Sequence, residues 1–201
     1  MKLNNESVFI YPTDTVWGIG ASIYFELSKK KISEIKGSAE DKPLSIMFTS
    51  VEEIAKSFTL PTELSAEWLK KYFSMESTLG LPLSLAKISI PSWVTGKSEF
   101  VSVRCVDMQV LREIGKALNA PFFTTSLNLT GHPPIVNFND AKNFHKTYAN
   151  DIEFFGDSSH NLSGRSSTIV FLKGKAFEVI RAGARLEEIK KHLSLTGFHT
   201  A

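Results

Sequence analysis

Apolar and polar positions regroup along the chain in two alternating rhythms, and together they predict strands and helices in turn. Residues 8–11 (Val-Phe-Ile-Tyr) form a strand-like run that stops at Pro12, where the ladder loses a backbone donor. Over 25–36, Leu27, Ile32 and Ile35 mark the buried side of a helix, Lys29, Lys30 and Lys31 its solvated side, and Gly37 its stop. An apolar run at 44–49 predicts a strand, and the capping-box spacing of Ser50 and Glu53 opens a helix behind it. Leu64, Trp68, Leu69, Tyr72 and Phe73 recur at helical intervals after Pro61. Residues 82–88 read as a strand and 91–93 as a loop. Alternation returns at 100–104, followed by a helix capped by Asp107 and carrying Val110, Leu111, Ile114 and Leu118. A strand at 121–126 runs into the loop 127–134, and a helix covers about 139–148. Strands at 167–172 and 177–181 flank the hairpin-like Lys173-Gly174-Lys175, and a helix at about 186–193 closes the pattern. The polar, small-residue loop 156–166 reads equally as a lid or as plain surface.

Strands and helices alternating in this way predict one α/β domain with a mixed, twisted sheet over residues 1–201, without repeats or a linker. Composition agrees: 42% of the 201 residues are hydrophobic and 15 are Phe, enough for a substantial core. A formal charge of +2 gives no bulk electrostatic argument for nucleic acid. Cys105 is the single cysteine, which excludes a disulfide framework and a cysteine metal cluster. The five histidines lack metal-site spacing, so no metal ligands are expected. Gly-x-Ser-x-Gly is absent, and Gly96-Lys97-Ser98 has Pro91 where a phosphate loop needs its first glycine. No signal-peptide core or membrane-length apolar run is present, so a cytoplasmic protein without a membrane partner is expected.

The candidate chemistry lies at strand ends. Thr13, Asp14 and Thr15 follow the first strand, where small ligands bind in open α/β sheets; the other reading is a turn that only caps a helix. Lys36, Lys42, Arg104, Thr124 to Asn128, Ser166 to Thr168 and Arg181 repeat the theme of single cations among hydroxyls and amides. Such groups suit phosphates and carboxylates. No strong nucleophile stands beside a base, which favours an enzyme that works by positioning and charge neutralisation, or a pure binder.

Seven of these segments, in order, resemble the YrdC-like family, which includes threonylcarbamoyl-AMP synthases and YciO-type proteins. Pro12 to Gly20 matches Pro-Thr-(Asp/Glu)-Thr-x-Tyr-Gly-Leu-Gly with Trp17 for the tyrosine. Lys36-Gly37 through Pro43-Leu44 matches the lysine segment, and Pro82-Leu83-Ser84-Leu85 the Pro-Leu-Thr-Leu. Val101 to Arg104, Ser126 to Gly131, Ser167 to Val170 and Val179 to Gly183 complete the series over about residues 8–185. The resemblance implies a single twisted, mixed α/β domain with a concave cleft, similar to the dihydroxybutanone-phosphate synthase fold; some longer relatives carry an extra C-terminal domain, which is not expected within these 201 residues. It implies a nucleotidyltransferase that joins L-threonine, bicarbonate and ATP, with Mg²⁺, into threonylcarbamoyl-AMP and pyrophosphate for tRNA modification. tRNA or double-stranded RNA, and the proteins that pass threonylcarbamoyl to tRNA, are the implied partners. Thr15, Arg104 and Ser167 would hold threonine; Lys36, Lys42, Ser126, Asn128 and Arg181 the nucleotide; Thr13 and Thr124 are their neighbours; Lys36 and Arg104 would stabilise charge. Two positions depart from the family pattern: Ser38 stands for an arginine and Met47 for a frequent histidine. The alternative is a diverged YciO-type paralogue or a non-catalytic nucleotide- or RNA-binding protein.

Overall fold

A single sheet covered unequally on its two faces organises this chain. The computed structural model describes residues 2–37 and 43–201. The elements are β1 (Val8–Pro12), β2 (Trp17–Ser22), α1 (Glu26–Lys36), β3 (Ser45–Phe48), α2 (Val51–Ser57), α3 (Ala66–Phe73) and β4 (Ser77–Pro82). Next come α4 (Ser92–Thr95), β5 (Phe100–Cys105), α5 (Gln109–Leu118), β6 (Phe122–Ser126), α6 (Phe138–Tyr148) and β7 (Glu153–Phe154). The last are β8 (Thr168–Lys173), β9 (Ala176–Arg181), α7 (Leu186–Leu195) and β10 (His199–Thr200). Among the described residues the strands form one sheet in the order β10-β9-β8-β4-β5-β3-β6-β2-β1-β7. β3 and β5 run parallel, as do β4 and β8, while β1–β2, β2–β6, β3–β6, β4–β5 and β8–β9 are antiparallel. The sheet is mixed, as expected from the sequence.

Side chains alternate between the faces of a strand. Ile10, Ile46, Leu79, Val103, Phe123 and Val170 point one way, into the larger apolar cluster. There they meet Ile32 of α1, Ile54 of α2, Leu69 of α3, Phe144 of α6 and Leu193 of α7. Burying each such side chain contributes about 1.5–3 kcal/mol. Tyr11, Met47 and Phe122, one residue away on their strands, point the other way, against Leu111, Ile114 and Leu118 of α5. The rest of that second face mixes polar with apolar positions: Ser45 pairs with Ser102 and with Thr124, Met47 with Arg104, and Gly18 with Ser126, while Ile169 and Phe171 of β8 line the same hollow. The open part of the second face therefore carries hydroxyls and a guanidinium among apolar side chains.

Several expectations need correction. The strand expected at 82–88 lies earlier, at Ser77–Pro82, because Leu79 and Leu81 are the residues that bury against β5; Leu83–Leu85 is a 3₁₀ turn. The loop expected at 91–93 opens the short helix α4. Leu27, expected in the core, is exposed. Asp107 does not cap α5; it pairs with Arg112, and the helix begins after Met108. Ser50, by contrast, caps α2 by accepting from the Glu53 amide at 3.2 Å. No helix comes after Thr13–Thr15: the next element is β2, in a hairpin with β1. β2 has small residues at alternate positions, which weakened its strand signal. No helix among the described residues is long and apolar enough to cross a membrane.

Candidate functional site

The hairpin between β1 and β2 builds one wall of the cleft. Pro12 pairs with Trp17, so residues 13–16 form its loop. Thr13 organises that loop: its hydroxyl donates to the Val16 carbonyl at 2.7 Å and accepts from the Thr15 and Val16 amides at 3.1 and 3.2 Å. These bonds use the one proton and both lone pairs of Thr13, and the Thr15 hydroxyl lies beside it at 3.1 Å. Ser163 and Gly164 of the 156–166 loop donate backbone hydrogen bonds to the Asp14 and Thr15 carbonyls at 3.0 and 2.9 Å. That loop is therefore a strap across the hairpin.

Arg104 rises from β5 beneath the same turn. Its Nη2 donates to the Asp14 carboxylate and to the Thr15 hydroxyl, the latter at 3.0 Å. The guanidinium is buried, at 6% exposure, yet its Nε donor has no acceptor. Among the described residues one other buried side-chain polar atom is unsatisfied, Trp17 Nε1. Trp17 turns its indole to the opposite face, stacked on Phe154 at 5.3 Å, so only its neighbourhood in the backbone reaches the cleft. A buried orphan donor costs about 1–3 kcal/mol, and on a cleft-facing arginine it suits an anionic oxygen.

The opposite wall depends on a β-bulge. Ile169 pairs with Arg181 but Val170 pairs with Val179, which leaves Ile180 as an extra residue in β9. A regular ladder would turn Ile180 and Arg181 to opposite faces; with the bulge both line the cleft. Arg181 donates through Nε to the Ser167 carbonyl at 3.0 Å and through Nη2 to the Ser167 hydroxyl at 3.1 Å. Burial, and then the positive charge of Arg104, lower its pKa from the usual arginine value. Two guanidiniums thus act on each other across one cavity, which favours an anionic occupant. At the rear, Gly80 has no side chain because Phe171 lies over it: a Cβ there would stand 2.0 Å from the ring.

The end of β6 closes the site. The Lys36 ammonium, buried in the last turn of α1, donates to the Ser126 carbonyl, to the Asn128 carbonyl at 3.0 Å and to Asn128 Oδ1 at 3.1 Å. Gly37, at φ 60°, takes the left-handed conformation that ends the helix at this lysine. The Ser126 hydroxyl donates to Asn128 Oδ1 at 2.6 Å, and the Asn128 amide group donates to the Leu129 and His132 carbonyls at 2.9 Å. Thr124 accepts from the buried Tyr11 hydroxyl, whose pKa burial raises.

These groups surround a cavity of about 340 Å³. Seven residues expected in a site line it: Thr13, Thr15, Arg104, Thr124, Ser126, Ser167 and Arg181. Lys36 and Asn128 stand behind Ser126 and are not among the lining residues. Lys42 and Ser38 lie outside the described residues. Met47 is on the cleft floor and buried. The Pro82–Leu85 segment does not line the cavity. Sequence reasoning missed Thr78, Ser45, Ser102 and Phe171 in the lining, and the pairing of Asp14 with Arg104. A period-2 signal for Ser102 was present, since it shares a strand face with Arg104. Cys105 supplies no nucleophile: burial, then the charge of Glu53, push its thiol up to about 12. Among the described residues the cavity lining contains no carboxylate, and no cluster of three metal-ligating side chains occurs.

The fold and cleft define a class: α/β proteins with a half-covered mixed sheet and a cationic, hydroxyl-lined hollow. Residues 1–183 match the model of the Sua5/YciO/YrdC family, described as "Telomere recombination", and the chain belongs to that family. The threonylcarbamoyl-AMP synthase of Pseudoalteromonas atlantica is 29% identical over 181 residues, covering 87% of this chain and 89% of that protein. The crystal structure of P. abyssi Sua5 complexed with L-threonine superposes with a TM-score of 0.79 at 27% identity. It covers 98% of this chain, and the chain spans 56% of that protein's length. E. coli YciO shares the fold, with a TM-score of 0.71 at 19% identity over 89% of this chain and 84% of that one.

Proposed function

We propose that this chain is a threonylcarbamoyl-AMP synthase, joining L-threonine, bicarbonate and ATP with release of pyrophosphate for tRNA modification. The observation that carries the reading is Arg104: a buried guanidinium with an unsatisfied Nε donor, flanked by Thr15 on one side of the cavity and Ser167 on the other. The relatives named as synthases, and the Sua5 structure complexed with threonine, support it. Arg104 binds the threonine carboxylate through its free edge, and Ser167 adds a hydroxyl. Ser126 and Arg181, on the other walls, meet the nucleotide phosphates. Lys36 and Asn128 hold Ser126 in position, and Lys42 joins the nucleotide by the resemblance alone.

Threonine nitrogen and bicarbonate give a carbamate with loss of water. A carbamate oxygen then attacks the α-phosphorus, the bond from that phosphorus to the bridging oxygen breaks, and pyrophosphate leaves. Both reactants are anions, so the residues act by holding them together and offsetting repulsion. Magnesium enters as part of the ATP substrate. The test is pyrophosphate release from purified protein with Mg·ATP, read with and without L-threonine and with and without bicarbonate. Release must require both; release independent of threonine, or none at all, overturns the reading.

A further inference from the structure

We propose that Thr78 is a positioning residue that fixes the polarity of Ser167, making its hydroxyl a committed donor to an anionic oxygen of the substrate. The inference rests on the synthase reading above and assigns a role to a residue outside the motifs. Thr78 sits on β4, 1% exposed, beside Ile169 of β8, and lines the cleft. Its hydroxyl lies 2.8 Å from that of Ser167, itself 4% exposed. The Tyr72 hydroxyl holds the Thr78 carbonyl at 3.1 Å, which anchors this point of the strand.

The polarity comes from counting protons and lone pairs. A serine hydroxyl has one proton and two acceptor lone pairs. Arginine donates and never accepts, so Arg181 Nη2, 3.1 Å from Ser167 Oγ, occupies one lone pair. Two arrangements remain for the Thr78–Ser167 contact. If Ser167 donates to Thr78, its proton is consumed and only a lone pair faces the cavity, where an anion repels it. If Thr78 donates to Ser167, both lone pairs of Ser167 are filled and its proton is free for the ligand. Among the described residues the Thr78 hydroxyl makes no other hydrogen bond, so nothing competes for its proton. Among the described residues the cavity lining carries Arg104 and Arg181 and no carboxylate, and Asp14 offsets only Arg104, which leaves Arg181 beside Ser167 to favour an anionic ligand and with it the second arrangement.

The experiment compares Thr78→Val, Thr78→Ser and Ser167→Ala by calorimetry with L-threonine and with L-threoninol, which has an alcohol in place of the carboxylate. Thr78→Val, close in shape but without the hydroxyl, leaves one Ser167 lone pair unfilled and its proton without a fixed direction, and is expected to weaken threonine binding by about threefold to tenfold while changing threoninol binding less than about twofold. Thr78→Ser is expected to restore most of the threonine affinity. Combined with Ser167→Ala, Thr78→Val is expected to add less than about twofold, because it acts through Ser167. Unchanged threonine affinity, equal weakening for both ligands, or a full additive loss in the double variant overturns the proposal. Should Thr78→Val fail to fold, Thr78→Ala provides the same comparison. Wild-type protein that binds threonine without releasing pyrophosphate overturns the synthase reading and leaves this comparison standing. Wild-type protein that binds no threonine overturns both.

Discussion

Asp14 and Arg104, 90 residues apart in the chain, meet at the mouth of the cleft, where the arginine Nη2 donates to the aspartate carboxylate. The arginine is nearly buried, while the aspartate keeps 29% of its side chain exposed. Asp14 offsets part of a buried charge and leaves the Nε donor without a protein acceptor. Asp14→Ala is expected to cost about 1.5–3 kcal/mol, with Asp14→Asn losing less because it keeps an acceptor. Urea unfolding measures it as a lower midpoint at constant slope. An unchanged midpoint for Asp14→Ala shows that the pair does not stabilise the fold.

Arg104→Lys tests the fork itself. Lysine keeps the charge but not the planar set of donors. Threonine affinity is expected to fall about tenfold to a hundredfold, equivalent to the loss of a charge-assisted bond of about 1.5–3 kcal/mol. Calorimetry with threonine reads it directly, and wild-type affinity in the variant refutes the assignment.

Gly80→Ala places a Cβ 2.0 Å from the Phe171 ring. The ring must move, and Phe171 stacks on Phe100 with centroids 4.9 Å apart, so it cannot move freely. A loss of about 1–3 kcal/mol is expected, measured by thermal melting, with partial recovery in Gly80→Ala/Phe171→Leu. Failure of the second change to recover any stability places the strain elsewhere.

Lys36 is a strut for the turn that carries Ser126 and Asn128. Removing the ammonium in Lys36→Met orphans the carbonyls it holds, at a cost of about 1–3 kcal/mol. Hydrogen exchange is expected to rise at the Leu127, Thr130 and Ile135 amides, whose bonds to Trp17, Lys36 and Leu127 hold this loop. Unchanged protection there rejects the strut.

His192 sets a pH dependence away from the cleft. It stacks on Trp68 at 4.8 Å, and burial, together with the Lys71 charge, lowers its pKa below the usual 6.5, against the opposing hydrogen bond to the Trp68 carbonyl. The unfolded chain therefore binds the proton more readily than the folded one. Its contribution to stability is complete above about pH 6.5 and is lost as pH falls toward the lower folded value. Melting temperatures should drop from pH 7 to pH 5, and His192→Gln should flatten that drop. An identical slope in the variant removes His192 as the cause.

Local pattern was sufficient for much of this protein. Alternation at Phe100–Arg104 identifies β5 and puts Ser102 on the face of Arg104; helical spacing identifies Trp68, Leu69, Tyr72 and Phe73; the Gly37 stop ends α1 at Lys36. These signals survive without neighbours because they arise from the period of a strand, the period of a helix and the cost of a left-handed backbone. The mixed sheet and seven cavity residues were legible by the same means, helped by motifs in order.

What only the tertiary structure decided is how distant polar groups share protons and charge. Nothing near Asp14 announces Arg104, and nothing near Thr78 announces Ser167; each pair exists because strands far apart in the chain are brought together by the sheet. The bulge at Ile180 is a mismatch between two ladders, so it cannot be read from either strand alone. Leu27 is exposed because a helix face is buried only where another surface comes to meet it. The local chemistry of the chain determined its elements and its cleft-forming residues, while long-range pairing determined which donors remain open for a ligand.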